Sequence, residues 1–210
     1  MCIRDRTAVI GLVATAPAAD AAAFPLDTAV KVTNIQDAMA KAGATGTLLP
    51  ALRAIAGQAD TTIVVVRVLP GGTDAPTTSS IIGADVAGVK TGMQALLTAP
   101  AQLNVQPRII GAPGLESEAV TKALVTVAKK LRARVYAKAV GIDRGAAIAY
   151  RALFPDAREL TLLWPGVTAP YGPNGASMSV PVAAVAMGAR AAIDATQGWH
   201  KTLSLSLIHI

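Results

Sequence analysis

From residue 107 onward the chain alternates short apolar runs with longer amphipathic ones: PRIIGAP (107–113), ESEAVTKALVTVAKKLRA (116–133), RVYAKAVG (134–141), DRGAAIAYRALF (143–154) and ELTLLWPG (159–166). The short runs read as strands and the long ones as helices. A strand that is followed by a helix before the next strand is carried back to the same end of the sheet, so the pairing is parallel. A parallel sheet needs helices on both faces. Two earlier runs, TAVIGLVAT (7–15) and TTIVVVRVL (61–69), are β-branched and apolar enough to be buried strands of such a sheet.

The segments between them can be read from their punctuation. AVKVTN (29–34) is a short strand whose Asn34 caps the helix IQDAMAKAG (35–43), with Gly43 as its stop. TLLPALRAIAGQA (47–59) is a helix with Thr47 as N-cap and Pro50 in its first turn. PGGTDAPTTSS (70–80), rich in Gly, Pro, Ser and Thr, reads as a surface loop or the site of an inserted segment. A last helix is expected from Ser177 to about Gln197, after the loop GVTAPYGPNG. The expected architecture is α/β, a mainly parallel sheet flanked by helices. A smaller α/β part spans 7–69, a loop or insertion 70–100, and a central domain 101–204.

The two ends stand outside this pattern. MCIRDR (1–6) and LSLIHI (205–210) are encoded by one DNA element read in opposite directions, and that element matches a transposon-end adapter. We read both as foreign scars and the natural segment as about 7–204, truncated at both ends. Cys2, the only cysteine, lies in a scar, so no disulfide or thiol-based metal site is expected. His209 also falls in a scar, leaving His200, and removing Arg4, Asp5 and Arg6 changes the formal charge from +6 to +5. The arginines that make the start resemble a signal peptide are themselves part of the scar.

A basic chain suits nucleic acid, an anionic membrane or an acidic protein. Aromatics are only 3% of the residues and no Lys/Arg run exceeds Lys129-Lys130, which argues against nucleic acid and favours an acidic protein partner. Pro17, Asp20, Pro181 and Arg190 interrupt every apolar window near 18 residues, so membrane insertion is not expected.

GASMSVPVAAVA (175–186) is similar to the nucleophile segment of subtilisin-type serine proteases, with Ser177 in the place of the nucleophile. That chemistry needs a histidine and an aspartate earlier in the chain. No histidine lies between Thr7 and Ala176, and Val182 stands where the protease motif has a His. Ser177 or Ser179 is therefore expected to cap a helix. GADVAGVKT (83–91) imitates a phosphate loop, but Val89 separates Gly88 from Lys90 and displaces the lysine. GAPG (111–114) lacks dinucleotide-loop spacing and reads as a turn. Glu116 and Glu118 sit where a helix dipole favours acids. Lys122, Lys129, Lys130, Arg132 and Arg134 make the other end of that helix basic. No catalytic, cofactor or metal residues are expected.

Taken in order, FPLDTAVKVTN, a helix ending KAG, TGTLLPALRAIAGQ, VVVRV, PRIIGAPG, LLWPG and QGWHKTLS resemble the tail sheath proteins of contractile-tailed phages, in particular the P2-like branch. The resemblance implies a subtilisin-like core without the catalytic triad and a structural subunit that is not an enzyme and uses no cofactor. It further implies stacked six-membered rings around a tail tube, triggered by a baseplate, contracting to drive the tube through the host envelope. Such a protein belongs to the virion tail and is assembled in the host bacterial cytoplasm. A sheath from a non-viral contractile injection particle, or a small-ligand or enzymatic α/β domain, is the alternative. The residues expected to touch a neighbouring subunit or the tube are Lys129, Lys130 and Arg132, and, after Gly198, Trp199, His200 and Lys201. Trp199 packed into its own core at the domain junction is the competing expectation.

Overall fold

The computed structural model describes residues 8–169 and 177–203. Both scars, Thr7, Ser204 and residues 170–176, which include most of the GVTAPYGPNG loop and the start of the Ser177 motif, lie outside the described residues.

The molecule is built on one six-stranded sheet. Its strands are β1 (Ile10–Thr15), β2 (Ala29–Val32), β3 (Ile63–Val68), β6 (Ile109–Gly111), β7 (Arg134–Lys138) and β8 (Leu160–Leu163), in the spatial order β2-β3-β1-β6-β7-β8. All neighbours pair in parallel except β2, which runs antiparallel along β3 at one edge. β1 lies centrally, with Ile10 in register with Ile63 on one side and Ile109 on the other. Strands from both the 7–69 part and the 101–204 part therefore share one sheet.

Helices cover both faces, as the apolar strands require. Successive side chains of a strand point to opposite faces, and β3 divides accordingly. Val64, Val66 and Val68 join Val13, Ile110 and Val135 in one core, under α3 (Asp74–Ile82), a 3-10 helix (Gly92–Thr98) and α5 (Glu118–Leu131). Ile63 and Val65 join Ile10, Leu12 and Ile109 in the other, under α1 (Ile35–Lys41), α2 (Leu48–Ala56) and α7 (Val182–Thr196). Each fully buried Ile, Leu or Val contributes about 1.5–3 kcal/mol of transfer free energy. α2 and α7 approach closely at Gly188, where an added Cβ would lie 2.9 Å from the Gln58 Cβ and 3.1 Å from the Ile55 Cα.

The local punctuation is mostly as expected. Asn34 Oδ1 accepts from the backbone N–H groups of Gln36 (3.0 Å) and Asp37 (3.2 Å). Gly43 adopts φ +72, and a Cβ there would meet the Ala18 carbonyl oxygen at 2.5 Å. Thr47 precedes α2 but caps it with no side-chain hydrogen bond. Its hydroxyl instead accepts from Thr15 N–H at 3.1 Å, tying α2 to the end of β1.

Three expectations change. The 70–80 stretch is not a loop throughout, since α3 begins at Asp74 and puts Ile81 into the core. The hydroxyls of Thr77, Ser79 and Ser80 donate to the carbonyls four residues back, which removes their competition with the helical backbone. The remainder to residue 102 forms a small hairpin, β4 (Asp85–Val86) and β5 (Val89–Lys90), the 3-10 helix and α4 (Ala99–Gln102). Neither Ser177 nor Ser179 caps the last helix: β10 (Met178–Val180) pairs antiparallel with β9 (Val167–Ala169), and α7 starts after Pro181. The helix 143–154 is observed as α6 (Arg144–Ala152).

Candidate functional site

Two hollows lie at opposite ends of the parallel strands. The first, about 450 Å³, sits beyond the carboxyl ends of β6 and β7, and its lining includes Thr47, Gly114, Glu116, Lys138 and Ser179. This is where α/β folds that bind ligands place them. Two of its polar groups bond to backbone: the Glu116 carboxylate accepts from Gly114 N–H at 2.7 Å and the Thr47 hydroxyl from Thr15 N–H at 3.1 Å. Burial pushes the Glu116 carboxyl above its ordinary range, against the opposing pull of neighbouring backbone N–H groups and the Lys138 ammonium. Ser179 shares this end with the amino terminus of α7, whereas His200 follows that helix's far end. A helix of 15 residues is about 22 Å long, so His200 cannot serve a serine nucleophile at this hollow.

The second is a cleft of about 1090 Å³ at the amino ends of β6, β7 and β8. Its position follows from a repeated sequence feature. Arg108 immediately precedes β6, Arg134 opens β7 and Arg158 lies just before β8. Parallel pairing brings the three starts to one edge of the sheet, with Ile109 beside Arg134 and Val135 beside Leu160. Lys129 and Arg132, at the carboxyl end of α5, also line it, and the opposite wall carries Arg190, Asp194 and residues 199–203.

That wall is fastened by a buried ion pair. Arg190 and Asp194, one helical turn apart on α7, are 9% and 7% exposed and meet at 2.5 Å. The same guanidinium donates to the carbonyls of Gly198 and Lys201, holding the turn after the helix. Desolvation raises the Asp194 carboxyl above its ordinary range, and the Arg190 hydrogen bond and charge oppose that rise. Arg190 Nε and Glu159 Oε2 are buried without a hydrogen-bond partner. The Trp199 ring is 75% exposed among the described residues and meets His200 edge-to-face at 6.4 Å between centroids.

The two groups of contact residues expected from sequence therefore meet in one place, with Lys129 and Arg132 on one side and Trp199, His200 and Lys201 on the other. Lys130 is separated from them and lies instead within electrostatic reach of Asp85 on the β4–β5 hairpin. Sequence reasoning missed Arg108, Arg158 and Arg190 as members of the cleft. The signal available for the first two was an arginine at the start of successive parallel strands. GADVAGVKT forms the hairpin, with Lys90 paired to Asp85 at 2.7 Å. Among the described residues no cluster of three or more His, Cys, Asp or Glu side chains could hold a metal, and no helix is long and apolar enough to cross a membrane.

Comparison with known proteins agrees with this architecture. The family model described as tail sheath protein Gp18 domain III N-terminal region matches residues 7–68, the segment from β1 through β3. The chain is 45% identical over 201 residues to the major tail sheath protein of Serratia phage KSP20, covering 93% of this chain and 51% of that protein. It is 44% identical over 206 residues to the tail sheath protein of Escherichia phage P2, covering 94% and 52%. It thus spans about half the length of the curated relatives it matches. Among solved structures, the helical sheath of the anti-feeding prophage in its contracted state superposes with a TM-score of 0.61 at 17% identity, over 93% of this chain and 49% of that one. A chain of the contracted anti-feeding prophage baseplate gives a TM-score of 0.68 at 19% identity, over 92% and 51%. At these identities the superpositions establish the shared fold.

Proposed function

The chain belongs to the contractile tail sheath family, and from that premise we propose that it forms part of a structural subunit that polymerises around a tail tube and contracts to drive the tube through a host envelope. The observation that carries the proposal is the 44% identity to the phage P2 sheath protein over 94% of this chain. The reading extends to a helical stack of six-membered rings, contact with a tube protein and a baseplate, a place in the virion tail, and assembly in the host bacterial cytoplasm. It includes no catalytic step and no cofactor. Ser177 precedes β10 at one end of α7 and His200 follows its other end, which supports the absence of a Ser–His pair.

Lys129, Arg132, Trp199, His200 and Lys201 are proposed as contacts to a neighbouring subunit or the tube. Their convergence on one cleft supports this assignment. Lys130, outside the cleft, is a separate contact candidate. A sheath of a non-viral injection particle is a second reading, favoured by the fold shared with the anti-feeding prophage sheath.

The test is electron microscopy of the full-length protein containing this segment, expressed alone and with its tube protein. Hollow striated cylinders are expected; a soluble monomer under both conditions overturns the proposal.

A further inference from the structure

We infer that the cleft at the amino ends of β6, β7 and β8 is a docking site for an acidic segment of a different protein chain. The inference deepens the contact role proposed above by giving that contact its chemistry, and it relies on the sheath reading only for the identity of the neighbour.

The first ground is an uncompensated charge. Seven Lys and Arg side chains line the cleft against two carboxylates, Glu159 and Asp194. Asp194 is already committed to Arg190. Arg108 donates to the carbonyls of Leu131 and Arg132, and Arg134 to the Thr161 hydroxyl, so these contacts orient the guanidiniums without neutralising them. The other ion pairs among the described residues, Lys41–Asp37, Lys90–Asp85 and Lys122–Glu118, involve no cleft residue. Positive charge gathered in a concave site focuses the field on whatever enters it.

The second ground is the chemistry of the rest of the lining. Leu162, Leu163 and Leu203 supply apolar surface, and the exposed Trp199 stands at the rim. A polypeptide that mixes carboxylates with aliphatic side chains matches this lining. A nucleic acid matches it less well, because only Trp199 and His200 offer stacking surfaces near the rim. Without the scars the formal charge of +6 becomes +5. A second copy of the segment would bring like net charge to the cleft, which favours a different chain as the occupant.

The experiment uses the 210-residue chain and fluorescence anisotropy with a labelled 14-residue peptide of alternating Glu, Asp and Leu. Its controls are the same peptide with Gln and Asn for the acids, and a single-stranded oligonucleotide of matched charge. The acidic peptide should bind, with affinity falling as salt shortens the Debye length. The exposed-site variant Lys129→Glu/Arg158→Glu/Lys201→Glu should weaken it at least about tenfold, while Lys130→Glu leaves it within about twofold. Should the triple Glu variant misfold, the corresponding triple Gln variant should still weaken binding by about threefold or more. Equal binding of the amide peptide, equal loss with Lys130→Glu, tighter binding of the oligonucleotide, or low-salt self-association relieved by the triple variant would each overturn the inference. Failure here with cylinders still forming leaves the sheath reading intact; peptide binding without cylinders removes the sheath reading and leaves the cleft standing.

Discussion

The Arg190–Asp194 pair gives a sharp test of what fastens the cleft wall. Both side chains are more than nine-tenths buried, so each charge depends on the other. Removing one partner of a buried pair costs about 3–5 kcal/mol when the survivor has no other recourse. The two single substitutions differ in that recourse. In Asp194→Ala the guanidinium keeps the Gly198 and Lys201 carbonyls as acceptors. Release of Asp194, whose carboxylate is held against its desolvation, offsets part of the loss. The expected cost is about 2 kcal/mol. Arg190→Ala strands a buried carboxylate and frees the turn at 198–201, so about 3–4 kcal/mol is expected. Arg190→Ala/Asp194→Ala closes the cycle by removing both charges together and should cost about 2 kcal/mol, mainly the lost packing of the arginine stem. The assay is urea unfolding of the four proteins followed by circular dichroism, with slopes compared before free energies are subtracted. The singles should sum to several kcal/mol more than the double. A coupling below about 0.5 kcal/mol would refute the claim that the two groups are held for each other.

Two further outcomes follow from packing and protonation. Gly188→Val should lower stability by about 1–3 kcal/mol, because its Cβ alone would lie 2.9 Å from Gln58 and 3.1 Å from the α2 backbone at Ile55; a calorimetric melting temperature at or above the parent's would contradict the close α2–α7 approach. Burial holds the Glu116 carboxyl above the ordinary carboxylate range, so the folded state binds that proton more tightly than the unfolded one. Its stabilising contribution is complete below the unfolded value and is lost as pH rises through the folded one. Glu116→Gln should therefore gain on the parent as pH rises above the ordinary carboxylate range in parallel urea titrations, and a pH-independent difference would exclude the effect.

The strands were legible because burial on both faces leaves a plain trace: IVVVRV has almost no polar position, and its one charged residue, Arg67, is buried with its guanidinium on the carbonyls of Ala19 and Phe24. Asn34 was legible because capping is a local bond. α3 was not, since Thr77, Ser79 and Ser80 have loop-like identities, while what holds the segment helical is the burial of Ile81 in the core, a non-local contact. Ser177 misled for a related reason: the residues after it pair with Val167–Ala169, a partner that local pattern does not reveal. The cleft was half legible. Lys129, Arg132 and Trp199–Lys201 stood out as two separate groups, but their meeting depends on the strand order β6-β7-β8 and on Arg190 turning the end of α7 back towards the sheet.

The central place of β1 sets a timetable for the ribosome. The strand is made first, yet one of its edges waits for Ile63 and the other for Ile109. At ordinary synthesis rates the second edge stays open for about 5–20 s. Through that interval a nascent chain displays one of its most apolar strands with a row of unpaired backbone groups, the form most prone to pair with another chain. Shielding of these waiting edges during synthesis therefore protects the emerging chain from pairing with another copy of itself.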